Sequence, residues 1–170
     1  MNILMKFLDR VEKISEWTGK CASWLTVALM LTISYDVLMR YGFNAPTEWS
    51  YDISYMLGGS LYLLGMAWVI RDDGNIRVDI ISSRFSKKTQ LIINLFFTVV
   101  LFFPMAIMLF KTSLDRTLFS WRILEKASYT IWYPPIYPLR TIMTFAFLIW
   151  LLQGVATFIS NIRKLIGEER

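Results

Sequence analysis

Apolar residues along this chain gather in four long blocks, near 22–39, 53–70, 91–110 and 141–159, and the charged residues gather between them. A hydrocarbon core about 30 Å thick takes roughly 20 helical residues to cross, and each block approaches that length. The 91–110 and 53–70 blocks contain no charge, and 141–159 holds only Gln153 as a strongly polar member. Asp36, near the far end of the first block, is the exception. Backbone groups in lipid must be satisfied within their own segment, so the blocks read as helices. The expected fold class is an all-α integral membrane protein with four transmembrane helices, in a single domain over residues 1–170.

The linking segments carry patterns of their own. Ile3, Phe7, Val11, Ile14 and Trp17 fall on one helical face, with Lys6, Arg10 and Lys13 mostly off it. This predicts a basic amphipathic helix over residues 1–20 that lies at the membrane interface, with a plain extension of the first span as the alternative, and the first span is expected to stay in the mature chain. In the first hairpin, Asp36 and Arg40 are four apart and share a face in the favourable acid-before-base order. Pro46 marks a turn, and Trp49 and Asp52 follow. Arg40 is expected to neutralise both Asp36 and Asp52 in an ion cluster that closes the hairpin. In the second block Ser54, Gly58 and Gly65 line up on one face, where small side chains let the first span or a partner helix approach closely.

Two further segments deserve a reading. Arg71-Asp-Asp-Gly-Asn-Ile-Arg-Val-Asp79 alternates charge around Gly74 but lacks the closing Glu of a calcium loop. A turn and a short interfacial helix through Val78, Ile80, Ile81 and Phe85 are expected there. Residues 112–137 are expected to form the longest loop, in which Trp121, Tyr129, Trp132 and Tyr133 interleave with Arg122, Glu125 and Lys126. Pro134, Pro135 and Pro138 set the entry to the last span. Such aromatics suit a headgroup-level belt or, together with arginine, a protein-docking surface.

Charge fixes the expected orientation. Of the 18 Lys and Arg residues, 12 lie on the side shared by the N-terminus, the second connection and the tail. The positive-inside rule places both termini in the cytoplasm. That bias accounts for the net charge of +5 without any nucleic-acid partner. The chain has no histidine and a single cysteine, Cys21, so His-based catalysis, His-ligated haem and an internal disulfide are excluded. An intramembrane charge is the usual requirement for moving a charged solute or a proton, and the helix centres here have none. A self-sufficient four-span transporter needs a carboxylate deep in the first span, and Asp36 is too near the end. The expectation is a non-enzymatic protein without a cofactor of its own, which holds or completes something else.

Taken together, the motifs resemble a known family. Arg40-Tyr-Gly-Phe-Asn-Ala-Pro46 with Trp49 and Asp52 is similar to the first-hairpin signature of the small membrane (Q-type, DctQ-like) subunit of TRAP (tripartite ATP-independent periplasmic) transporters, where Glu is usual at the Asp52 position. Gly65 through Ala67, followed by Gly74-Asn-Ile-Arg-Val-Asp79, resembles the second motif, with Asn75 in place of its usual His and with Arg77 and Asp79 kept. Trp132-Tyr-Pro-Pro-Ile-Tyr-Pro138 with Gln153 resembles the third region, in the form common to the branch labelled for mannitol or chloroaromatic transport. The resemblance implies a non-catalytic scaffold in the bacterial or archaeal inner membrane. Its partners would be a large elevator-type subunit that binds sodium and an organic acid, a periplasmic substrate-binding protein, and membrane lipids. It places Asp36, Arg40, Trp49, Asp52, Gly58, Gly65, Asn75, Arg77 and Asp79 in structural or assembly roles, and Trp121, Arg122, Trp132 and Tyr133 at a docking surface for the binding protein. The alternatives are a self-sufficient four-span transporter or a structural subunit of another membrane complex.

Overall fold

The computed structural model describes residues 2–72, 86–128 and 130–167. Its helices are α1 (Asn2–Gly42), α2 (Trp49–Arg71), α3 (Lys87–Phe97), a π-helical turn (Thr98–Phe102), α4 (Phe103–Ile123) and α5 (Tyr137–Ile166). The α3, π-turn and α4 segments run end to end as one span, so the molecule has four helices long and apolar enough to cross a membrane. The all-α, four-span expectation holds. The π turn has an identifiable cause in Pro104, whose ring crowds the carbonyl four residues back and whose nitrogen has no proton to give. Widening the preceding turn relieves both conflicts.

The four spans do not share the core equally. α5 is the hub: α1, α2 and α4 all pack against it, and it buries Ala146, Phe147, Ile149, Trp150, Gln153, Gly154 and Ala156. One apolar cluster joins Ala106, Phe147 and Trp150 to Leu63 and Met66 of α2 and to Phe102 of the π turn. A second joins Leu8 and Val11 of α1 to Ala156, with Leu152 and Ile159 against it. Gly154 lets the Phe102 ring lie directly on the α5 backbone, and Gly19 does the same for Trp68 against α1. At both positions an added Cβ would overlap the ring.

Two boundaries differ from the sequence expectation. The interfacial helix expected over residues 1–20 is not separate, because α1 continues without a break from Asn2 to Gly42, about 60 Å at the standard rise of about 1.5 Å per residue. Its buried face is Leu8, Val11, Ser15 and Thr18, while Ile14 and Trp17 of the expected stripe stay exposed. Ser15 donates a 2.7 Å buried hydrogen bond to the Gln153 side chain. Two polar groups in apolar surroundings are far less costly when paired, and this pairing turns the helix toward α5. The second difference is in the third span, which continues well past residue 110 to Ile123. Lys111, Asp115 and Arg116 look like a loop by charge, yet they sit on the exposed side of a helix whose other side, Ser113, Thr117 and Ser120, is buried.

Candidate functional site

The first hairpin closes as a capped turn. Asn44 takes the left-handed conformation (φ 52°) that Asn tolerates at helix ends, and the Ala45 N–H returns to the Met39 carbonyl at 3.0 Å. Asp36 accepts from Arg40 at 2.8 Å, from the Thr47 N–H at 3.2 Å and from the Thr47 hydroxyl. Tyr35 and Trp49 stack across the hairpin with ring centroids 5.7 Å apart. The Asp36–Arg40 pair is therefore as expected. Arg40 does not reach Asp52: that carboxylate, 1% exposed, accepts instead from the hydroxyl of Thr130. The reason is helical geometry. Asp36 and Arg40 are neighbours on α1, whereas Asp52 begins α2 and faces inward under the connection from α4 to α5.

That connection is short and built. Leu124 ends α4 in the left-handed conformation (φ 47°). The Ala127 N–H then meets the Pro134 carbonyl at 2.7 Å, and the Ile136 N–H meets the Glu125 carbonyl at 2.9 Å. Glu125 takes two 2.7 Å bonds from the Arg140 guanidinium, which, together with the positive charge of Arg140 and Arg116, hold its carboxyl below the ordinary value of 4.5. Thr130 at the tip accepts the Trp132 N–H at 3.3 Å while donating to Asp52. The tip is thereby pinned across the start of α2, and Ile131, Trp132 and Tyr133 are left outward and exposed.

Of the expected docking residues, Trp132 and Tyr133 lie together on this tip, with Tyr133 in the left-handed region (φ 47°). Trp121 and Arg122 are on the last turn of α4 rather than in a loop. The Trp121 indole N–H is bound to the Thr141 hydroxyl at 2.9 Å and its ring stacks on Tyr137 at 4.4 Å, so one face of it serves the α4–α5 junction. Asn75, Arg77 and Asp79, and the interfacial helix expected through residues 78–85, lie outside the described residues. At the opposite end from the tip, Arg71 reaches Glu16 at 3.2 Å and Glu16 holds Lys20 at 2.7 Å, tying α1 to the end of α2.

The small-residue face of α2 is the unoccupied part. A Cβ at Gly58, Gly59 or Gly65 would meet nothing within 4 Å, so this face does not pack on α1. Tyr51, Gly58, Tyr62, Gly65 and Val69 recur at helical spacing on it. Tyr62, in the middle of the span, is 77% exposed and makes no hydrogen bond among the described residues. Beside it an apolar groove of about 540 Å³ runs between α2 and the third span, floored by Phe102 and Trp150. Thr130, Ser15 and the Glu125–Arg140 pair were not found from sequence as linking residues; only Gln153 was marked, by its polarity within an apolar block.

A family model for the DctQ component of tripartite ATP-independent periplasmic transporters matches residues 29–164. No curated protein matches the chain significantly. The matched segment runs from within α1 to the last turns of α5 and contains the first hairpin, the α2 face and the pinned tip. On that match and its four spans, the chain is a multi-pass inner-membrane protein that belongs to the DctQ component family of the tripartite ATP-independent periplasmic transporters.

Proposed function

We propose that this chain is the static scaffold of its transporter: it braces a large elevator-type membrane subunit that couples sodium entry to uptake of an organic acid, which a periplasmic binding protein delivers. Both termini lie in the cytoplasm, so the Thr130–Tyr133 tip faces the periplasm. The observation that carries this reading is the face of α2. Gly58, Gly59 and Gly65 leave room for a closely packed helix, and the exposed Tyr62 phenol at mid-span has no hydrogen-bond partner among the described residues. A phenolic hydroxyl in hydrocarbon costs free energy until it finds an acceptor, which lipid tails cannot supply. A helix of the large subunit on this face would satisfy both the shape and the hydroxyl. The engagement of Asp36 by Arg40 and Thr47 at the end of α1 counts against a self-sufficient transporter that titrates Asp36.

Co-purification with the large subunit tests the proposal. Gly65→Leu is expected to leave the chain folded and to abolish the complex. A Gly65→Leu chain that still assembles and supports uptake would refute the assignment of this face. For the binding protein, Trp132→Ala and Tyr133→Ala together are expected to lower its association with the assembled membrane complex while leaving assembly intact; unchanged association would remove the tip from the docking surface.

A further inference from the structure

The side of the bundle where α4 meets α5 carries a second, smaller cavity of about 110 Å³. Its walls are graded. Along their helices Leu109 and Phe147 lie farther from the tip and Ser113, Thr117 and Arg140 nearer to it, and the exposed Arg116 also lines the cavity. Residue 110 ends the charge-free block of this span and Lys111 follows, so the cavity lies where hydrocarbon gives way to headgroups.

Its hydroxyls have a defined proton order. Thr117 donates to the Arg140 carbonyl at 2.9 Å, which uses its one proton. The 2.8 Å contact between Thr117 and Thr144 then requires Thr144 to donate. The 2.8 Å contact between Thr144 and Ser113 in turn requires Ser113 to donate. This assignment alone places one proton in each contact. Ser113, 6% exposed and lining the cavity, is left with open lone pairs and no donor to them among the described residues. One turn along the same helix, Arg116 makes no hydrogen bond or ion pair within 4 Å among the described residues and acts on Glu125 only through its charge, whereas Arg140 is bound directly to Glu125. The cavity therefore offers a guanidinium and, beside it, a buried acceptor, above an apolar wall.

We propose that this cavity is a phospholipid site: Arg116 binds the phosphodiester, the Ser113 oxygen accepts from a headgroup N–H or O–H, and an acyl chain lies along Leu109 and Phe147. Guanidinium–phosphate bonds are charge-assisted and strong, and the apolar-to-polar order of the walls matches a lipid and not a free anion. The Ser113 acceptor adds selectivity. Phosphatidylethanolamine and phosphatidylglycerol carry a donor a short distance from the phosphate, while phosphatidylcholine has none.

The test is native mass spectrometry of the full-length chain in detergent, titrated separately with phosphatidylethanolamine, phosphatidylglycerol and phosphatidylcholine. The first two are expected to be retained several-fold more than the third. Arg116→Gln should reduce retention of all three about tenfold, Arg116→Lys should restore part of it, and Lys111→Gln should change nothing. Ser113→Ala should erase the preference over phosphatidylcholine while keeping the Arg116 dependence. Equal retention of the three lipids by the native chain, or retention indifferent to Arg116→Gln in a variant with unchanged thermal unfolding, would overturn the proposal. Displacement of bound lipid by millimolar inorganic phosphate would overturn it in favour of a free-anion site.

Discussion

Helices α2 and α5 are both apolar, of spanning length and punctuated by glycine, yet they do opposite things with those features. On α5, Gly154 is covered by the Phe102 ring, and the helix buries more residues than any other among those described. On α2, Gly58, Gly59 and Gly65 have open space in front of them, and the tyrosine among them is exposed. A glycine in a membrane helix thus marks a place for close approach without saying what approaches. In α5 the visitor is part of the same chain. In α2 we assign it to the large subunit, which makes α5 the helix that folds the protein and α2 the helix that assembles it.

Substitutions at matched glycines should separate the two roles most sharply. Gly154→Leu forces a side chain into the Phe102 ring and should destabilise the isolated chain by about 1–3 kcal/mol or more, seen as loss of a monodisperse species in detergent. Gly58→Leu should leave thermal unfolding of the isolated chain unchanged and still prevent co-purification of the large subunit; a Gly58→Leu chain that misfolds would erase the distinction. Within the fold, Thr130→Val removes the hydroxyl bound to Oδ2 of the buried Asp52 carboxylate, whose Oδ1 has no partner among the described residues, an expected loss of about 1–3 kcal/mol, with the tip becoming protease-sensitive. Arg40→Ala should do much less, because Arg40 is half-exposed and Asp36 keeps both bonds from Thr47. A larger loss for Arg40→Ala than for Thr130→Val would show that the ion pair, not the Thr130 clasp, secures the start of α2. Tyr62→Phe is the gentler probe of the α2 face. It should weaken assembly by about 0.5–1.5 kcal/mol, with no change in the stability of the isolated chain.

The smallest effect expected is one of pH at the α4–α5 junction. Arg140 lowers the folded-state pKa of Glu125, so the pair stabilises the fold fully above the ordinary carboxylate value of 4.5 and loses that contribution as pH falls through the lowered value. Thermal unfolding followed from pH 7 to pH 3 should fall less steeply for Glu125→Gln than for the native chain. Identical slopes would mean that the junction does not depend on this pair.

Much of this protein was legible in one dimension. Block length and the absence of central charges gave four spans, because lipid leaves a chain few ways to satisfy its backbone. The Asp36–Arg40 pair was legible too, since four residues on one helix fix a distance. Which side of the helix over 1–20 packs inward was not legible, because an apolar stripe has the same period whether it faces lipid or another helix. Only Ser15 meeting Gln153, 138 residues away, decides between them. The loop expected over 112–137 was misread because charges on one side of a helix look like loop composition when read in sequence. Asn75, Arg77 and Asp79 keep their proposed assembly roles from the resemblance alone.

The sequence by itself determined that this chain crosses a membrane four times and carries the small component's motifs, for those follow from local composition and spacing. The tertiary structure decided which polar groups find each other and which faces are left over. Asp52 went to Thr130 and not to Arg40, Gly154 was covered and Gly65 was not, because such outcomes depend on helix rotation and on contacts between residues far apart in the chain, which no local pattern encodes.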